Sequence, residues 1–173
     1  MTIYNPILSY KFVKEEAIPD IELYMDQVTS YLESQLSDLK IDHDEKTLTK
    51  TMINNYVKNK LIDKPIKKKY KKKQIMQLMM LFQLKNILSI NQIKELMESL
   101  KVDLTSTEGI YRMYSSLYEE ICHSISLKLA DTATSEAIEN PLTNYDGSQG
   151  TLRLILESDI KKRLALLKIK GYK

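Results

Sequence analysis

The sequence predicts a mainly helical, all-α fold, and three observations support that prediction. The 173 residues include only 4 Gly and 4 Pro, so the turn residues needed by a chain of many strands are scarce. Residue types that favour helices, such as Leu, Met, Lys, Glu and Gln, dominate instead. Apolar residues recur at spacings of three and four, as on the buried face of a helix. With 43% apolar and 28% charged residues, the composition is typical of a soluble globular protein.

The first helix is predicted to open at Pro19 and Asp20, after an irregular start. Its predicted buried stripe is Ile21, Tyr24, Met25, Val28, Tyr31, Leu32 and Leu36. The acidic stretch 42–46 then forms a connection, and Thr49 can cap a second, shorter helix that ends near Asn59. The predicted inner side of that helix is Met52, Ile53, Tyr56 and Val57, and its outward side is Thr51, Asn54, Asn55 and Lys58.

After the second helix, the sequence predicts a short extended excursion and then a central helix. Apolar residues at 61, 62 and 66 alternate with polar ones before Tyr70, while Pro65 bars a regular central strand. We therefore expect only a very short β wing. From Lys72 to Leu88 the chain is apolar nearly all the way round a helix, which indicates a helix enclosed by its neighbours.

Three more helices are predicted to follow. Ser89 and Gln92 form a capping box for the first, whose predicted stripe is Ile93, Leu96, Met97 and Leu100. Thr105 and Glu108 form a box for the second, whose predicted stripe is Ile110, Met113, Tyr114, Leu117, Ile121 and Ile125. Turn residues predict a loop over 140–150, including Gly147 and Gly150. The last helix, near 151–169, is predicted to bury Leu152, Ile155, Leu156, Ile160, Leu164 and Leu167.

Domain organisation and location follow from the same features. We predict an N-terminal arm at 1–19, a helix-turn-helix module at 20–100 and a helical dimerisation or sensing region at 101–173, packed as one body. Cys122 is the single cysteine, which excludes an internal disulfide, and we expect a buried, inert thiol in a reducing compartment. The N-terminus lacks the pattern of a signal peptide, and no apolar run is long enough to cross a bilayer. The expected location is cytoplasmic, and nucleoid-associated if the protein binds DNA.

Positive charge is concentrated in one segment. Residues 58–73 contain nine lysines and one acid, a charge of +8, whereas the whole chain carries +3. The 23 Lys against 3 Arg could reflect the base composition of the genome, which would leave an ordinary solvated loop. Such drift should spread lysine evenly, yet residues 1–45 carry −7 and residues 103–149 carry −6. The asymmetry favours an interface for nucleic acid.

Two helices joined by a tight connection, of which the second is short, capped and polar outward, are typical of a helix-turn-helix. An asparagine can pair bidentately with N6 and N7 of adenine, which contributes about 1–3 kcal/mol of discrimination, so Asn54 and Asn55 are candidates for reading bases. They could equally be solvated surface residues. Lysines suit phosphate contacts, which set orientation and affinity without reading sequence.

The run 48–58, LTKTMINNYVK, with the Leu61, Lys64-Pro65 and Lys68-Lys69-Tyr70 positions after it, resembles the YkrK-like family of uncharacterised bacterial proteins. The same stretch is more distantly similar to the winged helix-turn-helix of MerR-type transcription regulators. Their pattern has a tyrosine in the recognition helix, a leucine just after it and a basic wing that ends in tyrosine, and Tyr56, Leu61 and Tyr70 match those places. Asn54 and the lysines stand where MerR-type proteins usually carry arginines, and the wing here is short.

The resemblance implies that Thr51, Asn54, Asn55 and Lys58 face the groove of DNA and that the lysines of the wing meet its backbone. The complete set of predicted DNA-binding residues is Lys50, Thr51, Asn54, Asn55, Lys58, Lys67, Lys68, Lys69, Tyr70, Lys71 and Lys72. The implied partner is double-stranded DNA. A homodimer would double the contacts, and a small-molecule effector is left open.

Other classes of function are less well supported. There is no glycine-rich phosphate loop, His43 and His123 lie in unrelated segments, and adjacent Glu119 and Glu120 point about 100° apart on a helix. We therefore expect no enzyme activity, cofactor or metal site. The rival function is a helical adaptor whose basic loop docks on an acidic protein partner without sequence-specific DNA binding, and general RNA binding is a third possibility.

Overall fold

The computed structural model describes residues 6–41, 44, 46–130 and 146–170. Within those ranges the helices are α1 (Pro6–Ser9), α2 (Met25–Leu36), α3 (Lys50–Lys58), α4 (Lys72–Leu84), α5 (Ile90–Asp103), α6 (Thr107–Ala130) and α7 (Gly147–Ile169). Short 3-10 turns lie at Glu15–Ala17 and Ser37–Leu39, and strands β1 (Leu23–Tyr24) and β2 (Lys69–Tyr70) pair antiparallel. The predicted all-α fold with a very short β wing is confirmed. No helix in these ranges is both long and apolar enough to cross a membrane.

The centre of the fold is α4. Every residue from Gln74 to Leu84 is buried, and the helix packs against α2, α6 and α7. This confirms the prediction of a helix enclosed on all sides, although the helix ends at Leu84 and 85–88 form a turn. The all-round burial explains why the apolar pattern has no polar face.

Three tyrosines of α6 attach the N-terminal residues to this centre. The hydroxyls of Tyr111 and Tyr118 donate to the backbone carbonyls of Val13 at 2.7 Å and Ile7 at 2.8 Å. The hydroxyl of Tyr114 donates to Oε1 of Gln83 at 2.8 Å. The Phe12 ring lies edge-on to four rings at centroid distances of 5.1–6.2 Å, those of Tyr10, Tyr111, Tyr114 and Tyr118. Ile7, Tyr10 and Phe12 are therefore part of the core. The predicted division into 1–19, 20–100 and 101–173 stays a prediction.

The start of the first long helix was predicted wrongly. The helix begins at Met25 and not at Pro19, because Leu23 and Tyr24 pair with Tyr70 and Lys69 of the wing. The side chain of Gln27 accepts a hydrogen bond from the backbone N–H of Tyr24 at 2.9 Å, which fixes the helix start. Ile21 and Tyr24, predicted to be buried, are 64% and 53% exposed. The rest of the stripe is buried or partly buried.

In the C-terminal half, the stripe of α5 and its capping box at Ser89 and Gln92 are confirmed. The second predicted box is wrong by one residue, because the hydroxyl of Ser106, not that of Thr105, accepts from the N–H of Gly109 at 3.0 Å. Gly147 and Gly150, predicted to lie in a loop over 140–150, belong to α7, and residues 140–145 of that loop lie outside the described residues.

Candidate nucleic-acid interface

The α3 helix has the amphipathic character that the sequence predicts. The Thr49 hydroxyl accepts a hydrogen bond from the N–H of Met52 at 3.2 Å and so caps the helix. Ile53 and Tyr56 are buried. The predicted outward residues are all exposed, namely Thr51, Asn54, Asn55 and Lys58. The helix thus presents one row of hydroxyl, amide and ammonium groups to solvent.

The two asparagines on this exposed side are not equivalent. Asn59 donates through Nδ2 to the backbone oxygen of Asn55 at 2.8 Å and to its Oδ1 at 2.9 Å. The Asn55 amide is therefore oriented, and one of its two acceptor positions is used. No hydrogen bond to the side chain of Asn54 is found among the described residues. Asn54 is the better candidate for a bidentate contact, which needs both amide atoms.

The link between α2 and α3 is not the tight connection that the sequence suggested. It runs over residues 37–49, whereas a simple helix-turn-helix uses about three or four residues. Polar anchors hold this link. Glu33 of α2 pairs with Lys40 and accepts from the N–H and hydroxyl of Thr47 at 3.1 and 2.9 Å, and Lys85 donates to the carbonyl of Thr47 at 2.8 Å. The hydrogen bond from Lys40, followed by those from Thr47, lowers the pKa of Glu33.

The basic wing, residues 60–73, leaves α3 without a spacer. The N–H groups of Lys60 and Leu61 donate to the carbonyls of Val57 at 3.1 Å and Tyr56 at 2.9 Å, the two bonds of a Schellman motif. Lys60 takes the left-handed position, φ 60°, that glycine usually fills in this motif.

The tip of the basic wing is a two-residue turn. Ile66 and Lys69 exchange backbone hydrogen bonds of 3.1 and 2.9 Å, and the residues between them, Lys67 and Lys68, have φ angles of 49° and 65°. Two positive φ angles define a type I′ turn, for which Asn-Gly is the favoured sequence. Within the described ranges, the non-glycine residues with positive φ are Lys60, Lys67 and Lys68, so lysines hold all these strained positions.

Two carboxylates join the start of α3 to the basic wing. Asp26, in the first turn of α2, pairs with Lys50 of α3. Glu22 lies 3.9 Å from Nζ of Lys69 and 4.0 Å from Nζ of Lys71. Only three residues separate Glu22 from Asp26. The first turn of α3 and the strand of the wing therefore both contact the same short segment, residues 22–26. The Lys69 ammonium also lies 5.2 Å from the centre of the exposed Tyr24 ring.

The remaining predicted residues differ in exposure. Tyr70 was predicted to contact DNA, but it is 2% exposed and packs in the core, so its ring supports the strand from inside. Lys67 and Lys68 are exposed and Lys72 is partly buried. Among the described residues, no carboxylate lies within 4.0 Å of the ammonium groups of Lys58, Lys60, Lys64, Lys67, Lys68 and Lys72.

Sequence reasoning missed three residues at this surface, Glu22, Tyr24 and Asp26. Glu22 and Tyr24 were assigned to a helix because their neighbours fit a spacing of three and four, and no pattern in a two-residue strand could have corrected this. Asp26 does lie in α2, but its pairing with Lys50 had no signal in the sequence. Among the described residues, no group of His, Cys, Asp or Glu side chains is arranged to hold a metal ion.

Fold and surface together define a mainly helical protein in which an exposed amphipathic helix is followed directly by a strained lysine-rich wing. The chain belongs to the family described as Domain of unknown function (DUF1836), whose model matches residues 13–121. That match contains all of α2, α3 and the basic wing, and the family description gives no activity. No curated protein and no solved structure matches the chain.

Proposed function

We propose that the protein is a DNA-binding transcriptional regulator that reads base edges with α3 and contacts phosphates with the basic wing. The observation that carries this proposal is the junction at residues 22–26. There, Asp26 pairs with Lys50 and Glu22 lies near Lys69 and Lys71. A helix with exposed amides and a cluster of cations beside it are the two parts that sequence-specific DNA binding needs.

The division of labour follows from side-chain chemistry. Among the described residues nothing occupies the amide donor and acceptor of Asn54, which suit adenine, while the amide of Asn55, oriented by Asn59, is suited to a single donated bond. Lys67 and Lys68 extend from the tip of the wing as flexible charges and suit phosphates. The distant similarity to MerR-type winged helices, through Tyr56, Leu61 and Tyr70, supports the same assignment.

Backbone strain at the wing also supports a role for its lysines. A non-glycine residue in the left-handed region costs about 1–2 kcal/mol, and residues held in such conformations cluster at functional sites. Lys60, Lys67 and Lys68 all occupy this region. If stability alone were selected, asparagine or glycine would serve better at these positions.

A homodimer would place two α3 helices on successive turns of a duplex, about 34–36 Å apart. Exposed apolar residues beyond residue 101 offer surface for pairing, namely Val102, Leu127, Leu154 and Ile169. An open surface cleft of about 410 Å³ is lined by residues of the N-terminal segment and α6 such as Lys11, Glu119, Cys122 and His123. Burial raises the pKa of Cys122 to about 11, so an effector would not bind through a thiolate.

One observation favours the adaptor as a second candidate. The carboxylate of Glu22 lies 3.9 Å from Nζ of Lys69 and 4.0 Å from Nζ of Lys71, so the basic wing already faces one carboxylate. An acidic peptide could displace Glu22 in the same way. These exposed ion pairs are weak, about 0–1 kcal/mol each, so either ligand could replace them.

Selection of bound sequences from random duplexes, followed by affinity measurements over a salt series, tests the proposal. If about six lysines contact phosphates, a plot of the logarithm of affinity against the logarithm of salt concentration should have a slope of about −5. Asn54→Ala should relax sequence preference more than Asn55→Ala. Lys67→Ala with Lys68→Ala should weaken all sequences alike.

The matched control is Lys94→Ala with Lys101→Ala, which removes two exposed lysines from α5. It should leave affinity and the salt slope unchanged. A selected motif that survives Asn54→Ala and Asn55→Ala together would contradict the assignment of α3. Steep salt dependence without a motif would indicate a nonspecific binder, and no binding at low salt would leave the adaptor.

A further inference from the structure

A buried ion pair on α7 reaches the link between α2 and α3. Asp159 and Arg163 are 1% and 5% exposed, and Nε of Arg163 donates to Oδ2 of Asp159 at 2.7 Å. A different atom of the same guanidinium, Nη1, donates to the carbonyl of Leu39. Leu39 ends the 3-10 turn that follows α2. The C-terminal helix is thus bonded directly to the chain that leads into α3.

The pair lies in a part of the core that could have been apolar. The guanidinium carbon is 5.6 Å from the centre of the Phe82 ring, and Leu156, Ile160 and Leu167 of α7 are buried nearby along the helix. Among the described residues, Oδ1 of Asp159 has no hydrogen-bond partner. A buried ion pair that is only partly satisfied is often no more stabilising than apolar residues of the same volume. Stability alone therefore does not explain it.

The position of the pair offers another explanation. Of the anchors on the 37–49 link, Glu33 and Lys85 lie inside the segment that matches the family, 13–121, whereas Arg163 lies outside it. A long link needs such anchors, because a flexible connection would leave the orientation of α3 undefined. The carbonyl of Leu39 precedes the other anchored residues, Lys40 and Thr47, so Arg163 holds the end of the link nearer α2 together with the Lys40–Glu33 pair.

We propose that Asp159 and Arg163 are positioning residues that fix α3 by holding the link at Leu39, so that docking of α7 sets the affinity of the interface. The part that concerns affinity rests on the proposed function. In this arrangement Asp159 orients the guanidinium and Arg163 makes the contact. A change that loosens α7 frees the link and α3 together, and the basic wing stays folded.

Arg163→Lys tests the proposal because lysine keeps the charge beside Asp159 but lacks the second, rigidly placed N–H group that reaches Leu39. Hydrogen exchange is measured by NMR on the full chain, with the melting temperature measured in parallel. We expect the amides of Lys40, Met52 and Ile53 to exchange about tenfold faster, with little change in the melting temperature. The amide of Leu104, bonded to Leu100 of α5, reports on regions that should not change.

The matched control is Arg153→Lys, on the same helix, where the guanidinium pairs with Glu120 of α6 at 2.7 Å and does not approach the link. Arg153→Lys should leave the exchange rates of all of these amides unchanged. A second variant, Asp159→Leu with Arg163→Met, removes both charges without leaving one unpaired. It should retain the melting temperature and still speed exchange at Lys40, Met52 and Ile53.

Exchange that rises uniformly with a falling melting temperature, or that does not change at the link, would overturn the positioning role. Duplex affinity of the same variants separates this role from the proposed function. Faster exchange with about tenfold weaker duplex binding supports both, while faster exchange with unchanged duplex binding overturns the control of affinity. If the wild-type chain binds no duplex, the proposed function fails, and the exchange data still decide the positioning role.

Discussion

The tyrosine core (Tyr10, Phe12, Tyr111, Tyr114 and Tyr118) and the basic wing treat polar groups in opposite ways. In the core, the hydroxyls of Tyr111, Tyr114 and Tyr118 each donate a bond of 2.7–2.8 Å to an oxygen from another segment. In the wing, lysines are exposed or only weakly paired, and three take backbone conformations that cost free energy. The side chains of the core stabilise the fold, whereas the wing keeps its cations in conformations that lower stability.

The largest effect should come from breaking the core. Phe12→Ala removes a ring that contacts four others, and we expect the free energy of unfolding to fall by about 3–5 kcal/mol. Urea unfolding followed by circular dichroism measures it. The control is Ile66→Ala in the wing, 59% exposed, which should change stability by less than about 0.5 kcal/mol. Equal losses for the two variants would mean that the wing also carries the fold.

A change at the tip of the wing should act with opposite signs on stability and binding. Lys67→Asn with Lys68→Gly gives the turn its favoured sequence, and we expect the free energy of unfolding to rise by about 1–2 kcal/mol. If both lysines meet phosphates, the salt slope of duplex binding should become shallower by about 1.8.

The control for this variant is Lys67→Ala with Lys68→Ala, which removes the same charges without relieving the turn. It should lose the same part of the salt slope and gain no stability. A gain in stability with an unchanged slope would show that the tip makes no phosphate contact.

The smallest effect concerns the link, which lies between the two regions. Hydrogen bonds from Lys40 and Thr47 hold the pKa of Glu33 below its ordinary value of 4.5. A carboxyl whose pKa is lower in the folded state stabilises the fold fully above the unfolded value, and that contribution is lost as the pH falls through the folded value.

Glu33→Gln should therefore flatten the decline in stability between about pH 5 and pH 3, as measured by urea midpoints at each pH. Thr47→Ala, which removes the hydroxyl donor and keeps the carboxyl, should flatten it less. A wild-type midpoint that does not decline over this range would refute the role of Glu33.

Much of the fold was predictable because α4 and α5 follow simple rules. The all-round burial of α4, the buried stripe of α5 and its capping box at Ser89 depend on residues close together in sequence. The same is true of the exposed side of α3. The start of α2 was not predictable, because Leu23 and Tyr24 leave the helical pattern only to pair with Lys69 and Tyr70, distant in sequence.

At the candidate site, the exposure of Asn54, Asn55 and Lys58 followed from amphipathic spacing, and that of Lys67 and Lys68 from the concentration of charge. The burial of Tyr70 did not, since an aromatic residue in a basic run fits either a surface or a core. Asp159 and Arg163 were also missed, because a charged pair four residues apart on a helix usually lies in solvent, and only the partner at Leu39 explains its burial.

The bonds from Tyr118 to Ile7 and from α7 to Leu39 have a practical consequence for dissecting this protein. Trimming the chain to 13–121 would delete the acceptor of one buried hydroxyl and the helix that covers much of α6. A fragment cut at those limits should expose apolar surface and aggregate, so we expect the folding unit to be larger than the segment that the family model matches.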